Sequence, residues 1–157
     1  MKSIIVLFLF TIWLIIPTAA SHGFLNEPDG FRGIKWGTDI SVLSGMRIVI
    51  DNGNIKYYTR DNDEMELSGT QIDAIRYIFY EGKLHEVQFL FHDFLNFNNI
   101  RNTCFNLYGR DGLYGVNYYW FGKTTTISLR YSAEDKHGEL AYVGALVYKD
   151  ILKSNNE

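Results

Sequence analysis

The residues best suited to acid–base chemistry are four histidines, one of which, His92, is followed directly by Asp93. A carboxylate beside an imidazole orients the ring and stabilises its protonated form, as a general base requires. His85 and His92 lie seven residues apart, so they face opposite sides if both belong to one strand. A hydrolase assembled from scattered residues such as His92 and Asp93 is one hypothesis, and a solvated pair at a strand end is the alternative.

Local signatures of catalysis and metal binding are missing from the chain. It has no G-x-S-x-G, no H-x-x-x-H and no C-x-x-C, so it lacks a nucleophile elbow and a short-range zinc motif. The densest acidic run, "RDNDEMELSG", has Met65 and Glu66 where an EF-hand places an oxygen ligand and a glycine. We predict no catalytic residues, no metal and no cofactor, and interpret the acidic run as a solvated turn, with a loose calcium site as the alternative.

Cys104 is the only cysteine, so the chain cannot form an intramolecular disulfide. A reactive cysteine needs a stabilised thiolate, which a basic neighbour or a helix N-terminus provides. Cys104 instead falls in the middle of a predicted helix, on its apolar stripe. We therefore predict a buried and inert thiol.

Aromatic residues form 16% of the chain and supply the candidate binding residues. In "NYYWF", Tyr118 and Trp120 point to one side of a strand and their neighbours to the other. Trp36 lies in the glycine-rich stretch "FRGIKWGTDISVLSGM". Because Tyr and Trp dominate interface hot spots, we predict Trp36, Tyr118 and Trp120 as binding residues for a protein partner. An aromatic-lined groove for a sugar or lipid is the alternative function, and core packing is the competing explanation.

The elements that position these residues are mostly strands joined by tight turns. Residues 52–53, 81–83 and 122–123 each combine glycine with a polar residue between two β-prone runs, which is typical of hairpins. Apolar and polar residues alternate in the strand that follows the second turn, which predicts one buried face for Val87, Phe89 and Phe91. The segment "GELAYVGALVY" is predicted as the final strand.

Two helices are predicted beside the strands. The first is a short one that Thr38 or Asp39 caps and Gly45 ends. The second, "FLNFNNIRNTCFNLYG", places apolar residues three to four apart, which is the spacing of an amphipathic helix. Its predicted stripe consists of Leu95 (or Phe97), Ile100, Cys104 and Leu107.

Together these elements predict an α+β fold, with an antiparallel sheet of about six or seven strands and two main helices packed on one face. The turn glycines Gly82 and Gly122 lie 40 residues apart. A duplication of an αββ-type unit is therefore a further interpretation of the pattern.

The first twenty residues have the layout of a secretory signal peptide. Lys2 precedes an apolar run from Ile4 to Ile16, and small residues follow Pro17 up to Ala20. The run is shorter than the roughly 20 residues that span a bilayer, so an uncleaved anchor is the less favoured alternative. Cleavage near Ala20 leaves one domain, 21–157, with no membrane span, in the periplasm or secreted. The net charge of −3 argues against a nucleic-acid partner.

The motif F-x-x-I-x-W-G-T at residues 31–38, with "YYTR", "IRYIFYEGKLHEVQF", "LYG" and "YYWFG", resembles an uncharacterised family of small exported proteins of anaerobic proteobacteria. That resemblance implies export but no activity and no site residues. In architecture the chain is similar to the small helix-plus-sheet domains of outer-membrane assembly lipoproteins, although it lacks their lipidated cysteine, and to β-lactamase inhibitor proteins. This architectural similarity implies a non-catalytic envelope protein that binds another protein. The oligomeric state stays open.

Overall fold

The structure is a computed structural model and describes residues 24–110, 113–114 and 117–145. The predicted signal peptide and the last residues of the predicted final strand lie outside these ranges. Strands and helices follow one another as β1 (Gly30–Phe31), β2 (Ile34–Lys35), a 3-10 helix (Ile40–Val42), β3 (Met46–Asn52), β4 (Ile55–Arg60), β5 (Glu66–Leu67), β6 (Thr70–Gln71), β7 (Ala74–Tyr80), β8 (Lys83–His92), α1 (Phe94–Tyr108), β9 (Leu113–Tyr114), β10 (Asn117–Phe121), β11 (Thr125–Ser132) and β12 (His137–Gly144).

Eight of the strands form one antiparallel sheet in the order β3-β4-β7-β8-β12-β11-β10-β9. The pairs β1–β2 and β5–β6 form separate two-stranded sheets. The predicted α+β class with an antiparallel sheet is thereby confirmed. Strand β12, the last strand of the described residues, lies in the interior of the sheet between β8 and β11.

All three predicted hairpins are present. The β7–β8 turn places Glu81 and Gly82 at φ 47° and 79°, and two positive φ angles give the twist that a two-residue hairpin loop needs. In the β3–β4 hairpin Asn52 pairs with Ile55, so the loop is Gly53 and Asn54, one residue later than predicted.

The main core lies between the sheet and α1. Val87, Phe89 and Phe91 of β8 are completely buried, as the alternation predicts. On α1 the buried residues are Phe97, Ile100, Cys104 and Tyr108. The predicted helix is confirmed, and so is the burial of Phe97, Ile100 and Cys104 in its stripe. Leu95 and Leu107 are wrong, because they are 69% and 41% exposed, and Tyr108 is buried where Leu107 was predicted.

The first predicted helix, at residues 38–45, is not found as an α-helix among the described residues. In its place stands the 3-10 helix of three residues, which Asp39 caps by accepting a hydrogen bond from the Ser41 N–H at 2.9 Å. Gly37 and Gly45, at φ 79° and 72°, bracket this segment. So few residues cannot offset the cost of nucleating an α-helix. The two αββ-type units of the duplication hypothesis are therefore not seen in this part of the chain.

Candidate functional site

Trp36 joins the N-terminal segment to the sheet. Its indole Nε1–H donates to the Thr125 hydroxyl at 2.7 Å, and that hydroxyl donates to the Pro28 carbonyl. The ring lies against Gly144, where a Cβ atom would come within 2.9 Å of Trp36 Cγ. The structure therefore places Trp36 half-buried against the core, with its one polar atom already hydrogen-bonded.

Tyr118 and Trp120 lie together on the face of the sheet that α1 covers. Their rings stack with centroids 6.3 Å apart, and Tyr118 meets the Phe105 ring of α1 edge-on at 5.4 Å. Trp120 is only 2% exposed, and its Nε1–H donates to the Gly109 carbonyl at the end of α1 at 2.9 Å. The ring of Trp120 consequently has almost no surface to offer to a partner.

The opposite face of β10 carries a second aromatic pair. Tyr119 and Phe121 stack almost in parallel, with ring centroids 5.9 Å apart and planes 6° apart. Phe121 is 56% exposed. The aromatic residue of β10 with the larger exposed surface is therefore Phe121, which the sequence analysis did not select.

The largest run of exposed aliphatic residues belongs to the β3–β4 hairpin. Strand β3 lies at one edge of the sheet, and no described strand pairs with its outer side. We call the exposed apolar residues of this hairpin the edge cluster: Ile48 (49% exposed), Val49 (51%) and Ile50 (38%) of β3, and Ile55 (37%) of β4. The register shifts between Ile48 and Ile50, so Val49 forms a β-bulge.

Charged residues flank the edge cluster along β3. Arg47 pairs with Asp61, and Asp51 pairs with Lys56 at 2.9 Å. The outer edge of β3 thus presents an apolar centre with an ion pair near each end. Sequence reasoning read "MRIVI" correctly as a strand, but a continuous apolar run does not show whether a strand is central or outermost.

His92 has a carboxylate partner that sequence reasoning missed. Its Nδ1 lies 2.7 Å and 2.9 Å from the two carboxylate oxygens of Asp73, and its Nε2 lies 3.5 Å from Asp93 Oδ2. The hydrogen bond that His92 Nδ1–H donates to Asp73 and the charges of both carboxylates raise the pKa of His92 above its ordinary value. Asp73 precedes β7 and His92 ends β8, so the β7–β8 hairpin brings together two residues that are distant in sequence.

Asp93 has an unusual backbone conformation. Its φ of 67° and ψ of 142° fall in a region that non-glycine residues rarely occupy. The Asp93 N–H donates to the Lys136 carbonyl at 2.9 Å, which ties this residue to the turn between β11 and β12. The side chains of His92 and Asp93, which the sequence analysis paired, lie in contact where β8 ends and α1 begins.

The acidic run is not entirely solvated. Asp63 is 8% exposed at its side chain and accepts hydrogen bonds from Arg32 at 2.5 Å and from the Tyr77 hydroxyl at 2.8 Å. Burial and the Asp63 hydrogen bond raise the pKa of Tyr77. Two protein donors thus occupy the Asp63 oxygens that the calcium alternative would need. In their present positions, no three His, Cys, Asp or Glu side chains of the described ranges cluster as a metal site.

Cys104 is 1% exposed, as predicted for a buried thiol, and burial raises its pKa to about 12. A cavity of about 150 Å³ lies beside residues 29–35, which is small against the roughly 300–1,000 Å³ of common ligand pockets.

No helix of the described ranges is long and apolar enough to cross a membrane. Comparison with known proteins found no matching family model, no matching curated protein and no matching solved structure.

Proposed function

We propose that the protein is an exported, non-catalytic envelope protein that binds a protein partner through the edge cluster of the β3–β4 hairpin. The observation that carries the proposal is that β3, an edge strand, exposes the three consecutive apolar residues Ile48, Val49 and Ile50. Ile48 pairs with Tyr58 and Ile50 with Tyr57, so these two side chains border the edge from opposite faces of the sheet. Contiguous apolar surface on a protein marks an interaction site more often than single exposed residues do.

Strand addition is the mode of binding that this geometry favours. The outer edge of β3 presents backbone N–H and C=O groups that no described strand satisfies, and an extended peptide can pair with such an edge. Full burial of a Val or Ile side chain contributes about 1.5–3 kcal/mol. Since the members of the edge cluster are roughly half exposed, each would contribute about 1 kcal/mol when a partner covers it.

The flanking charges define the chemistry of the partner strand. An extended segment with an apolar centre would fit, with polar ends beside the Arg47–Asp61 and Asp51–Lys56 ion pairs. Such charges contribute more to specificity and orientation than to affinity. The bulge at Val49 interrupts the regular ladder, which restricts indiscriminate edge-to-edge pairing.

Export is supported by the layout of residues 1–20. The role of an interaction module is supported by the architectural similarity to envelope domains that bind proteins and catalyse nothing. In this proposal Trp36, Tyr118 and Trp120 do not contact the partner directly. Trp120 belongs to the hydrophobic core, and Trp36 and Tyr118 pack against that core, so the three residues stabilise the sheet that carries the edge cluster.

The experiment is in-cell crosslinking of the tagged full chain, followed by capture and mass spectrometry, for wild type and two variants. Val49→Lys places a charge in the edge cluster and should abolish the crosslink to the partner. Leu95→Lys is the matched control, because Leu95 is also exposed but lies on α1. Thermal melts should show both variants folded.

A partner that Val49→Lys retains, or that both variants lose equally, would contradict the proposal. Sedimentation of the purified chain distinguishes a second copy from a different protein. A dimer that Val49→Lys dissociates would identify β3 as a self-association edge and would overturn the assignment of a separate partner.

A further inference from the structure

We propose that His92, His137 and Asp93 form a binding site for a divalent transition-metal ion, best suited to Zn²⁺, where β8 ends and β12 begins, beside the start of α1. The site does not depend on the edge cluster, since it is built from different strands. Nothing in the sequence pattern indicates it, because the two histidines are 45 positions apart (137 − 92).

The sheet register brings the two imidazoles together. His137 of β12 is the direct cross-strand partner of His92 of β8. Directly opposed residues share one face of the sheet, and their Cβ atoms are about 4.5–5.5 Å apart. Both side chains are exposed, so an ion can reach them from solvent.

Each imidazole already has the second interaction that metal-binding histidines usually make. His92 Nδ1 contacts the Asp73 carboxylate, and His137 Nδ1 lies 2.5 Å from the Asp135 backbone carbonyl. A carbonyl oxygen only accepts, so Nδ1 of His137 carries the proton and its Nε2 keeps the lone pair. Carboxylate and backbone carbonyl acceptors are those that fix the tautomer of histidine ligands in metal sites.

Asp93 supplies an oxygen at ligand spacing. Its Oδ2 lies 3.5 Å from His92 Nε2, which is too long for a good hydrogen bond. Two ligands that each lie about 2.0–2.1 Å from a tetrahedral zinc ion are about 3.3–3.4 Å apart. The spacing therefore matches two ligands of one ion after a shift of about 0.1–0.2 Å, within the tolerance of such sites.

The backbone of Asp93 supports this assignment. Residues held at such φ and ψ values are strained, and they concentrate at functional sites. Here the conformation is held by the hydrogen bond from Asp93 N–H to the Lys136 carbonyl, directly beside His137. One turn thus fixes both the aspartate and the second histidine.

Completing the site requires one side-chain movement. Only His92 Nε2 and Asp93 Oδ2 stand at ligand spacing as the side chains lie, so the His137 ring has to turn its Nε2 toward them. Water would fill the fourth position of a tetrahedral ion. Two imidazoles and one carboxylate suit Zn²⁺ and the neighbouring late transition metals better than Ca²⁺ or Mg²⁺.

The test is a titration of the purified, tag-free mature chain with Zn²⁺ in competition with a chromogenic chelator, and with Co²⁺ followed by visible absorption. All proteins carry His22→Ala, which removes a histidine near the predicted mature N-terminus. We expect one ion per chain and an intense tetrahedral Co²⁺ spectrum. His137→Gln and His92→Gln should each weaken Zn²⁺ binding by at least about tenfold, and Asp73→Asn, which alters only the orienting carboxylate, by about tenfold.

Asp51→Asn is the matched control, because it removes one exposed carboxylate at the β3–β4 hairpin and should leave the affinity unchanged. Both histidines are exposed, so their variants should fold, and circular dichroism checks this. The proposal is overturned if the His22→Ala parent chain binds no Zn²⁺ at micromolar concentration. It is also overturned if His137→Gln and His92→Gln bind Zn²⁺ as tightly as that parent does.

Discussion

Replacing Gly138 with alanine is expected to destabilise the fold by overpacking its core. Gly138 lies in β12, where it pairs with Tyr131 on one side and with Phe91 on the other. A Cβ atom at this position would stand 2.2 Å from Phe91 Cε2, 2.3 Å from Phe91 Cζ and 3.0 Å from the Arg130 carbonyl oxygen. Phe91 is completely buried, so its ring cannot swing into solvent to relieve the contact.

The magnitude follows from the severity of this clash. Inserting one methyl group into a packed core costs about 1–3 kcal/mol, and occasionally more. The new Cβ atom would lie within 2.5 Å of two Phe91 ring atoms, and the Arg130 carbonyl oxygen of β11 leaves it little room on the other side. We therefore expect Gly138→Ala to lower the free energy of unfolding by about 3 kcal/mol. For a domain of this size, 1 kcal/mol shifts Tm by about 3–5 °C, so Gly138→Ala should melt about 10 °C lower than wild type.

A double-mutant cycle with Phe91→Leu identifies the cause. Phe91→Leu alone should cost about 1–2 kcal/mol, because it removes buried ring atoms. In the double variant the smaller side chain makes room for the new methyl group, so the combined cost should fall short of the sum by at least about 1 kcal/mol. The measurement is the free energy of unfolding from urea titration, with Ser128→Ala of β11 as the control. A Gly138→Ala cost below about 0.5 kcal/mol, or strict additivity with Phe91→Leu, would refute the reasoning.

Three further predictions concern titratable groups. Partial burial opposes the effect, but hydrogen bonds from Thr124 and Thr125 lower the pKa of Glu27 below its ordinary 4.5. The stabilisation is therefore fully present above about pH 4.5 and is lost as the pH falls through the lowered pKa, so the Tm difference between Glu27→Gln and wild type at pH 7 should shrink steadily in more acidic solution. Cys104, whose pKa burial raises to about 12, should react with a thiol reagent only after denaturation, and labelling of the native protein at the unfolded rate would contradict its burial. The NMR titration of His92 should give a pKa above 6.5, because the hydrogen bond and charge of Asp73 raise it, and Asp73→Asn should bring it back toward 6.5; an unchanged value in that variant would exclude Asp73 as the cause.

Local patterns predicted those parts of the fold that depend on neighbours in sequence. The β7–β8 turn at Glu81 and Gly82 follows from a backbone preference of two residues, and the burial of Phe89 follows from strict alternation within one strand. The helix that contains Ile100 and Cys104 follows from their spacing.

Features that depend on packing between distant segments were not predictable in the same way. The first helix shortened to a single 3-10 turn because Gly37 and Gly45 both take positive φ, which the sequence permits but does not require. The sequence predicts Trp120 as a binding residue, with core packing as the competing explanation, and in the structure α1 covers its ring. Asp73 was overlooked because its contact with His92 exists only once β7 and β8 have paired.

The position of β3 shows why strand order matters more for function here than strand composition does. "MRIVI" has the composition of a central strand, and the chain nonetheless places it outermost, while the later strand β12 is inserted into the middle of the sheet. Edge strands in natural proteins are usually shielded by charge, proline or brevity; β3 has charges only at its two ends and spans seven residues. Agreement between local sequence and global placement is the rule in folded proteins, and departures from it concentrate at functional sites. An apolar strand kept at an edge is such a departure, and a partner that covers Ile48, Val49 and Ile50 would remove it.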